Sequence, residues 1–300
     1  MKQALKTVWM SMRPPFLLLT VSVILLGAAL AVWEGAAFDW GRFLLVMIGG
    51  LSAHASVNLL NEYEDWRSGL DAMTQRTPFS GGSGALQAHP EYAEWVMGAG
   101  YFFLGVVIAI GLYFVHELGW GLLPIGLLGV ALILFYTTRL TRMPWLCLIA
   151  PGLAFGPLMV MGTYYVLTGH YSERALLVSL IPFFLVNNLL LLNQIPDIDA
   201  DRRAGRVTFP MKMGVPLTLQ VFDLFLLSAY GVLVILVALQ WLPPLALLGL
   251  ISLIFAMPML LNLRRVRAGN QERLLPALAM NVVINLLAPA LVAVALWLSR

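Results

Sequence analysis

Of the 300 residues, 60% are hydrophobic and 11% are charged, against about a quarter charged in a soluble domain. That balance excludes an ordinary soluble enzyme, and a formal net charge of +3 gives no basic surface for nucleic acid. The single cysteine, Cys147, excludes an internal disulfide and a multi-cysteine metal site.

Taken in chain order, apolar runs of about 20 residues predict an all-α protein with nine transmembrane helices, near 15–33, 41–62, 95–115, 119–137, 145–168, 174–195, 217–239, 242–262 and 275–298. Lys2 and Lys6 ahead of Ala29-Leu30-Ala31 imitate a secretory leader. Phe16 to Trp33 is nevertheless long enough to remain as the first span. No Ser/Gly linker or charged tail divides the runs, so residues 1–300 are expected to form one membrane domain. With the N-terminus in the cytoplasm, fifteen of the eighteen Lys and Arg residues fall in inner segments, and only Arg42, Arg174 and Arg300 fall in outer ones.

Two acidic clusters sit at the ends of apolar runs, Asn61 to Asp71 and Asn193 to Asp201, and hold seven of the fifteen Asp and Glu residues. Both fall on the cytoplasmic side of the expected topology. Carboxylates beside lipid-length runs call for compensating positive charge. Mg²⁺ bridging carboxylates to a substrate phosphate supplies it, so the pattern points to a membrane enzyme that handles a diphosphate. If the second span continues as a helix, His54, Asn58, Asn61 and Asp65 share one face. Gly69 then breaks the helix and lets Asp71 fold back. Interhelical hydrogen bonding is the other reading of His54 and Asn58. In the second cluster, Asn193, Asp197 and Asp201 step by four along one face, whereas Asp199 lies off it.

The loop Arg76-Thr77-Pro78-Phe79-Ser80-Gly81-Gly82-Ser83-Gly84 offers backbone N–H groups and an Arg to an anion, or is a flexible connection. Arg202, Arg203, Arg206 and Lys212 follow the second cluster. Positive-inside anchoring explains most of them, and Lys212 is the first choice for gripping a phosphate. Asn58, Asn61, Arg67, Arg76, Arg139 and Lys212 make up the candidate substrate-binding set.

These motifs resemble the UbiA superfamily of intramembrane prenyltransferases. Asn61 through Asp71 is similar to its Asn-Asp-x-x-Asp-x-x-x-Asp motif, and Asp197 with Asp201 to its Asp-x-x-x-Asp motif. Arg13-Pro14, Asn58-Leu59-Leu60 and Asp201 to Gly205 also look familial. Three stretches, Asn58 to Asp71, Phe155 to Tyr165 and Asp197 to Gly214, look most like the dihydroxynaphthoate (menaquinone) branch. Two departures stand out. Glu62 replaces an Asp, and the fifth span, Trp145 to Ile149, lacks a carboxylate that this branch often carries.

The resemblance implies a nine-helix UbiA-like bundle in the inner membrane of a prokaryote. It implies that Asp65, Asp71, Asp197 and Asp201 are catalytic and, with Asn61, hold Mg²⁺ against a polyprenyl diphosphate, and that the acceptor is aromatic, a 1,4-dihydroxy-2-naphthoate before a 4-hydroxybenzoate. No nucleic acid or obligate protein partner is expected. A cation transporter is the rival of another class, but it would place its acids near the bilayer midplane.

Overall fold

The structure, a computed structural model, describes residues 1–74, 76–79, 81–267 and 269–300. Among these residues the regular structure is helical throughout. A first helix, α1 (Lys2–Ser11), precedes the apolar runs. It is no part of a lipid-length apolar run, because Lys2, Lys6 and Arg13 fall within reach of any such window.

Helix α2 (Pro14–Trp33) begins at a proline, where the missing N–H costs nothing. Asp39 caps α3 (Trp40–Arg67), its carboxylate accepting the Arg42 N–H at 3.0 Å. At 28 residues, α3 is ~42 Å long, so its last turns overhang a ~30 Å hydrocarbon layer. Gly69, at φ 75°, ends it, and α4 (Leu70–Met73) turns back. Beyond the glycine loop come α5 (Ala85–Ala88), α6 (Ala93–Leu118) and α7 (Leu123–Phe135). Next, α8 (Pro144–Leu153), a π-helical stretch Ala154–Met161 and α9 (Gly162–Thr168) run on as one span. Pro157 lies inside the π stretch, where an α-helical bond to its nitrogen is impossible.

Helix α10 (Glu173–Asn193) is followed by the short α11 (Ile198–Arg203) and the long α12 (Phe209–Ala238). Gly214, at φ 79°, kinks α12, whose apolar stretch runs Phe209–Ala238 and so begins eight residues before the expected 217. A 3₁₀ stretch, Pro244–Ser252, leads into α13 (Leu253–Arg267), and α14 (Leu274–Leu298) is last.

Eight helical stretches among the described residues are long and apolar enough to cross a membrane. The ninth expected span is shorter: Trp120–Phe135 reaches ~24 Å. Gly119, at φ 90°, and a 3₁₀ turn at Trp120–Leu122 take up its start.

Helix α10 lies at the centre, packed on α8, the π stretch, α12 and α14, and α14 closes on α2. Small residues permit the approach. A Cβ on Gly156 would come 2.5 Å from the Ser179 carbonyl oxygen, and the Gly152 N–H donates to Asn187 Oδ1 at 2.7 Å. Asn188 donates to Phe222 O (2.9 Å), Asn281 to Asn188 O (3.1 Å) and Asn285 to Asn281 O (2.9 Å). Asn187, Asn188 and Asn281 thus bind helix to helix, as polar groups do where no water competes, whereas the Asn285 bond lies within α14. Large apolar side chains such as Phe102, Leu227 and Ile254 are exposed on the outside, where lipid would meet them.

Candidate active site

One cavity of about 630 Å³ joins the two acidic clusters to the apolar interior. Its wall follows α3 from Asp65 to Val46, nineteen residues and ~28 Å along the axis. At the acidic end, α3 contributes Asn58, Asn61 and Asp65, α4 contributes Asp71, and the α10–α11 corner contributes Asn193, Asp197 and Asp201. The helical period expected from the sequence thus brings His54, Asn58, Asn61 and Asp65 to a single wall. Away from that end, the walls are aliphatic and aromatic, with Val107, Ile125, Val130 and Ile133 from α6 and α7 facing Phe155 and Met159 of the π stretch.

The acidic side chains are held by neighbours. Asn61 Nδ2 donates to Asp65 Oδ2 at 2.8 Å, and Asn61 Oδ1 accepts from Thr137 at 3.0 Å. Arg206 pairs with Asp65 and, at 3.4 Å, with Asp201, so one guanidinium links the two clusters. Burial raises the Asp201 pKa, and Arg206 opposes that rise. Burial by itself would lower the pKa of Arg206, but Asp65 and Asp201 outweigh it and hold the guanidinium charged. Asp71 is pushed up to about 7, first by burial and then by the charges of Asp65 and Glu62. Asp199 faces water and pairs with Arg202 at 3.2 Å.

The glycine loop is folded over this end. Gly81, Gly82 and Gly84 all have positive φ, and Gly81 and Gly82 line the cavity. A Cβ on Gly82 would meet Asp71 Oδ1 at 2.8 Å, which is why the backbone can lie against that carboxylate. Glu62 is buried, with Oε2 accepting the Ser83 N–H at 2.9 Å and Oε1 accepting the Ser83 hydroxyl. The departure from Asp to Glu therefore ties the loop to α3. Ser80 lies outside the described residues.

The basic side chains are arranged otherwise than expected. Lys212, Arg67, Arg76 and Arg139 are exposed and absent from the cavity wall. Arg67 pairs with Glu64 at 2.9 Å, and Arg139 lies over the Phe135 ring. The cations that do line the cavity are Arg206 and Arg13. Arg13 donates to Phe79 O at 3.3 Å and faces Glu62, Asp71, Asp197 and Asp65, whose charges oppose the lowering of its pKa by burial. Gly205, at φ 73°, turns the chain so that Arg206 returns to the acids. That glycine, in an Asp-Arg-Arg-Ala-Gly-Arg run, was the sequence signal available for Arg206.

Residues 20–286 match the UbiA prenyltransferase family. The chain belongs to the UbiA prenyltransferase family. Its curated relatives include the 1,4-dihydroxy-2-naphthoate octaprenyltransferase of Bacillus subtilis, 29% identical over 69% of this chain and 65% of that protein. The chain thus matches just under two thirds of that relative's length. Among solved structures, a UbiA homolog from Aeropyrum pernix superposes with a TM-score of 0.66 at 16% identity, covering 92% of this chain and 96% of that one. Another, from Archaeoglobus fulgidus, is bound to GPP and Mg²⁺; its TM-score is 0.61 at 13% identity, covering 96% of this chain and 99% of that one. These two likenesses concern the fold.

The acidic end of this UbiA protein suits a hard divalent cation. Its donors are carboxylate and amide oxygens, the set that Mg²⁺ takes. Asp71 Oδ2 and Asn193 Oδ1 are buried with no hydrogen-bond partner among the described residues, and both side chains line the cavity. Among the described residues no three His, Cys, Asp or Glu side chains form a closed metal cage. Mg²⁺ does not need one, because it is commonly held by one or two carboxylates together with substrate phosphates and water.

Proposed function

We propose that this UbiA protein transfers a polyprenyl group from a polyprenyl diphosphate to an aromatic acceptor of the 1,4-dihydroxy-2-naphthoate type. One observation carries the reading: a single cavity has an acidic, arginine-bearing end and an apolar wall ~28 Å long. The acidic end suits a metal diphosphate and the apolar wall suits its isoprenoid tail. Asp65, Asp71, Asp197 and Asp201, with Asn61, are the residues to hold Mg²⁺, while Arg206 and Arg13 meet diphosphate oxygens. Mg²⁺, when bound, neutralises charge gathering on the departing diphosphate. The aliphatic walls exclude water that would otherwise capture the allylic cation. Phe155 and its neighbours give the acceptor ring an apolar bed. The naphthoate choice is supported by the Bacillus subtilis relative and by the likeness of Asn58 to Asp71 and Phe155 to Tyr165 to that branch. The acids lie at helix ends rather than mid-span, which argues against ion transport. We place this end in the cytoplasm of a prokaryote, following the positive-inside bias.

The test is direct. Purified protein, Mg²⁺ and a radiolabelled polyprenyl diphosphate are incubated with 1,4-dihydroxy-2-naphthoate and 4-hydroxybenzoate in competition. Prenylated naphthoate as the main product, lost with EDTA and regained with Mg²⁺, is the expected result. A dominant hydroxybenzoate product overturns the acceptor, and the absence of any prenylated aromatic overturns the transfer reaction.

A further inference from the structure

Below the acidic end, His54 interrupts the apolar wall. It stands on the cavity face of α3, seven residues before Asn61 and thus ~10 Å down the axis. The residue is buried, 6% exposed. Its Nδ1 meets Thr20 Oγ1 of α2 at 2.9 Å. Its ring stands at 77° to that of Phe155, with centroids 4.8 Å apart. These two contacts fix the imidazole plane and use one nitrogen. The other nitrogen, Nε2, makes no hydrogen bond among the described residues, on a side chain that lines the cavity. Thr163, another polar side chain lining the cavity, satisfies itself by donating to Met159 O at 2.7 Å. Ser56 and Ser52, the other polar side chains of this part of α3, are off the cavity.

An aromatic ring set against the first carbon of a diphosphate held at Asn61 and Asp65 would lie between those residues and His54. A hydroxyl on that ring has Nε2 as its partner, and Phe155 offers an edge contact. We propose that His54 Nε2 binds the ring hydroxyl of the aromatic acceptor and so fixes which face of the ring meets the prenyl carbon. The assignment rests on the prenyl-transfer reading and narrows it to a hydroxylated ring. A hydrogen bond accepted from the hydroxyl also leaves more electron density on the ring, as attack on an allylic carbon requires.

Two measurements on the full chain in detergent test it. The first is equilibrium binding of 1-hydroxy-2-naphthoate and of 2-naphthoate, which lacks the hydroxyl. Wild type should bind the hydroxylated ring more tightly. His54→Ala should weaken that binding about 10-fold and leave 2-naphthoate unchanged. His54→Gln, whose amide can reach the same hydroxyl, should regain most of the loss. The second is steady-state kinetics: His54→Ala should raise the acceptor KM about 10-fold while the polyprenyl diphosphate KM stays within about twofold. Equal binding of both rings by wild type and His54→Ala overturns the assignment and, if product still forms, leaves the transfer reading standing. His54-dependent binding without any prenylated product upholds the hydroxyl site and counts against the transfer reading. A parallel rise of both KM values with a lowered Tm in every variant, His54→Gln included, assigns His54 to packing and also overturns the proposal.

Discussion

Arg206 is the residue whose removal should be felt most. It is the shared counter-ion of Asp65 and Asp201, and taking one partner from a buried charge network leaves the others unpaired. Arg206→Ala is expected to lower kcat/KM for the polyprenyl diphosphate by about 10²- to 10³-fold, the scale seen when one donor to developing charge is deleted. Lys212→Ala, on an exposed side chain away from the cavity, should stay within about twofold. Steady-state prenyl transfer with the two variants side by side checks both, and comparable losses would place Lys212 in the site after all. The contrast also marks what single residues disclose. The wall formed by His54, Asn58, Asn61 and Asp65 was legible because the helical period is fixed by backbone geometry. The choice among Arg202, Arg203, Arg206 and Lys212 was not, because the loop at Gly205 decides which one returns, and no periodicity governs a loop. Arg13 carries no periodic signal either, and its place beside the acids depends on the corner between α1 and α2.

At the scale of elements, the glycine loop and the Glu62–Ser83 clasp act as one piece over the acidic end. Gly82→Ala adds a Cβ at φ 72° against both Asp71 carboxylate oxygens. A left-handed alanine costs about 1–2 kcal/mol, and the Cβ also displaces Asp71. Transfer should therefore fall about 10- to 100-fold, an estimate built on the placement sensitivity of reacting groups, with Tm lowered only slightly. Gly98→Ala, in α6 with open space around its Cβ position, is the control and should leave both quantities unchanged or improve Tm. Thermal unfolding in detergent with parallel activity assays separates the two; an active Gly82→Ala protein would remove the loop from the site. A third substitution probes the bundle. Gly152→Ala would drive a methyl group into Phe183 O and Asn187, and such overpacking costs about 1–3 kcal/mol. A Tm equal to wild type would show that α8 and α10 can separate without loss. The long apolar elements were legible because lipid-length runs are a strong signal. The π stretch, α1 and the shortened α7 region were not, since each depends on local breaks at Pro157, Gly119 and the polar lead-in to α2.

For the whole molecule, the placement of charge predicts which end faces the cytoplasm. Arg42, at the start of α3, and Arg174, which pairs with Glu34 at the start of α10, stand at the end of the bundle opposite the acidic clusters. The remaining Lys and Arg residues, apart from Arg300, fall in segments assigned to the acidic end. A bias of fifteen to three is the pattern that retains an end in the cytoplasm. Cysteine accessibility reads it without relying on catalysis. Ser68, just past the C-terminus of α3, and Glu117, near the end of α6, are both exposed, and α3 and α6 run in opposite directions through the bundle. The native Cys147 is buried and contributes little background. In sealed inside-out vesicles a membrane-impermeant maleimide should label Ser68→Cys and spare Glu117→Cys, and in intact spheroplasts the preference should reverse. Labelling of Ser68→Cys from spheroplasts would invert the topology and put the acidic end outside, where a polyprenyl diphosphate made in the cytoplasm would have to cross the bilayer head first before it could react.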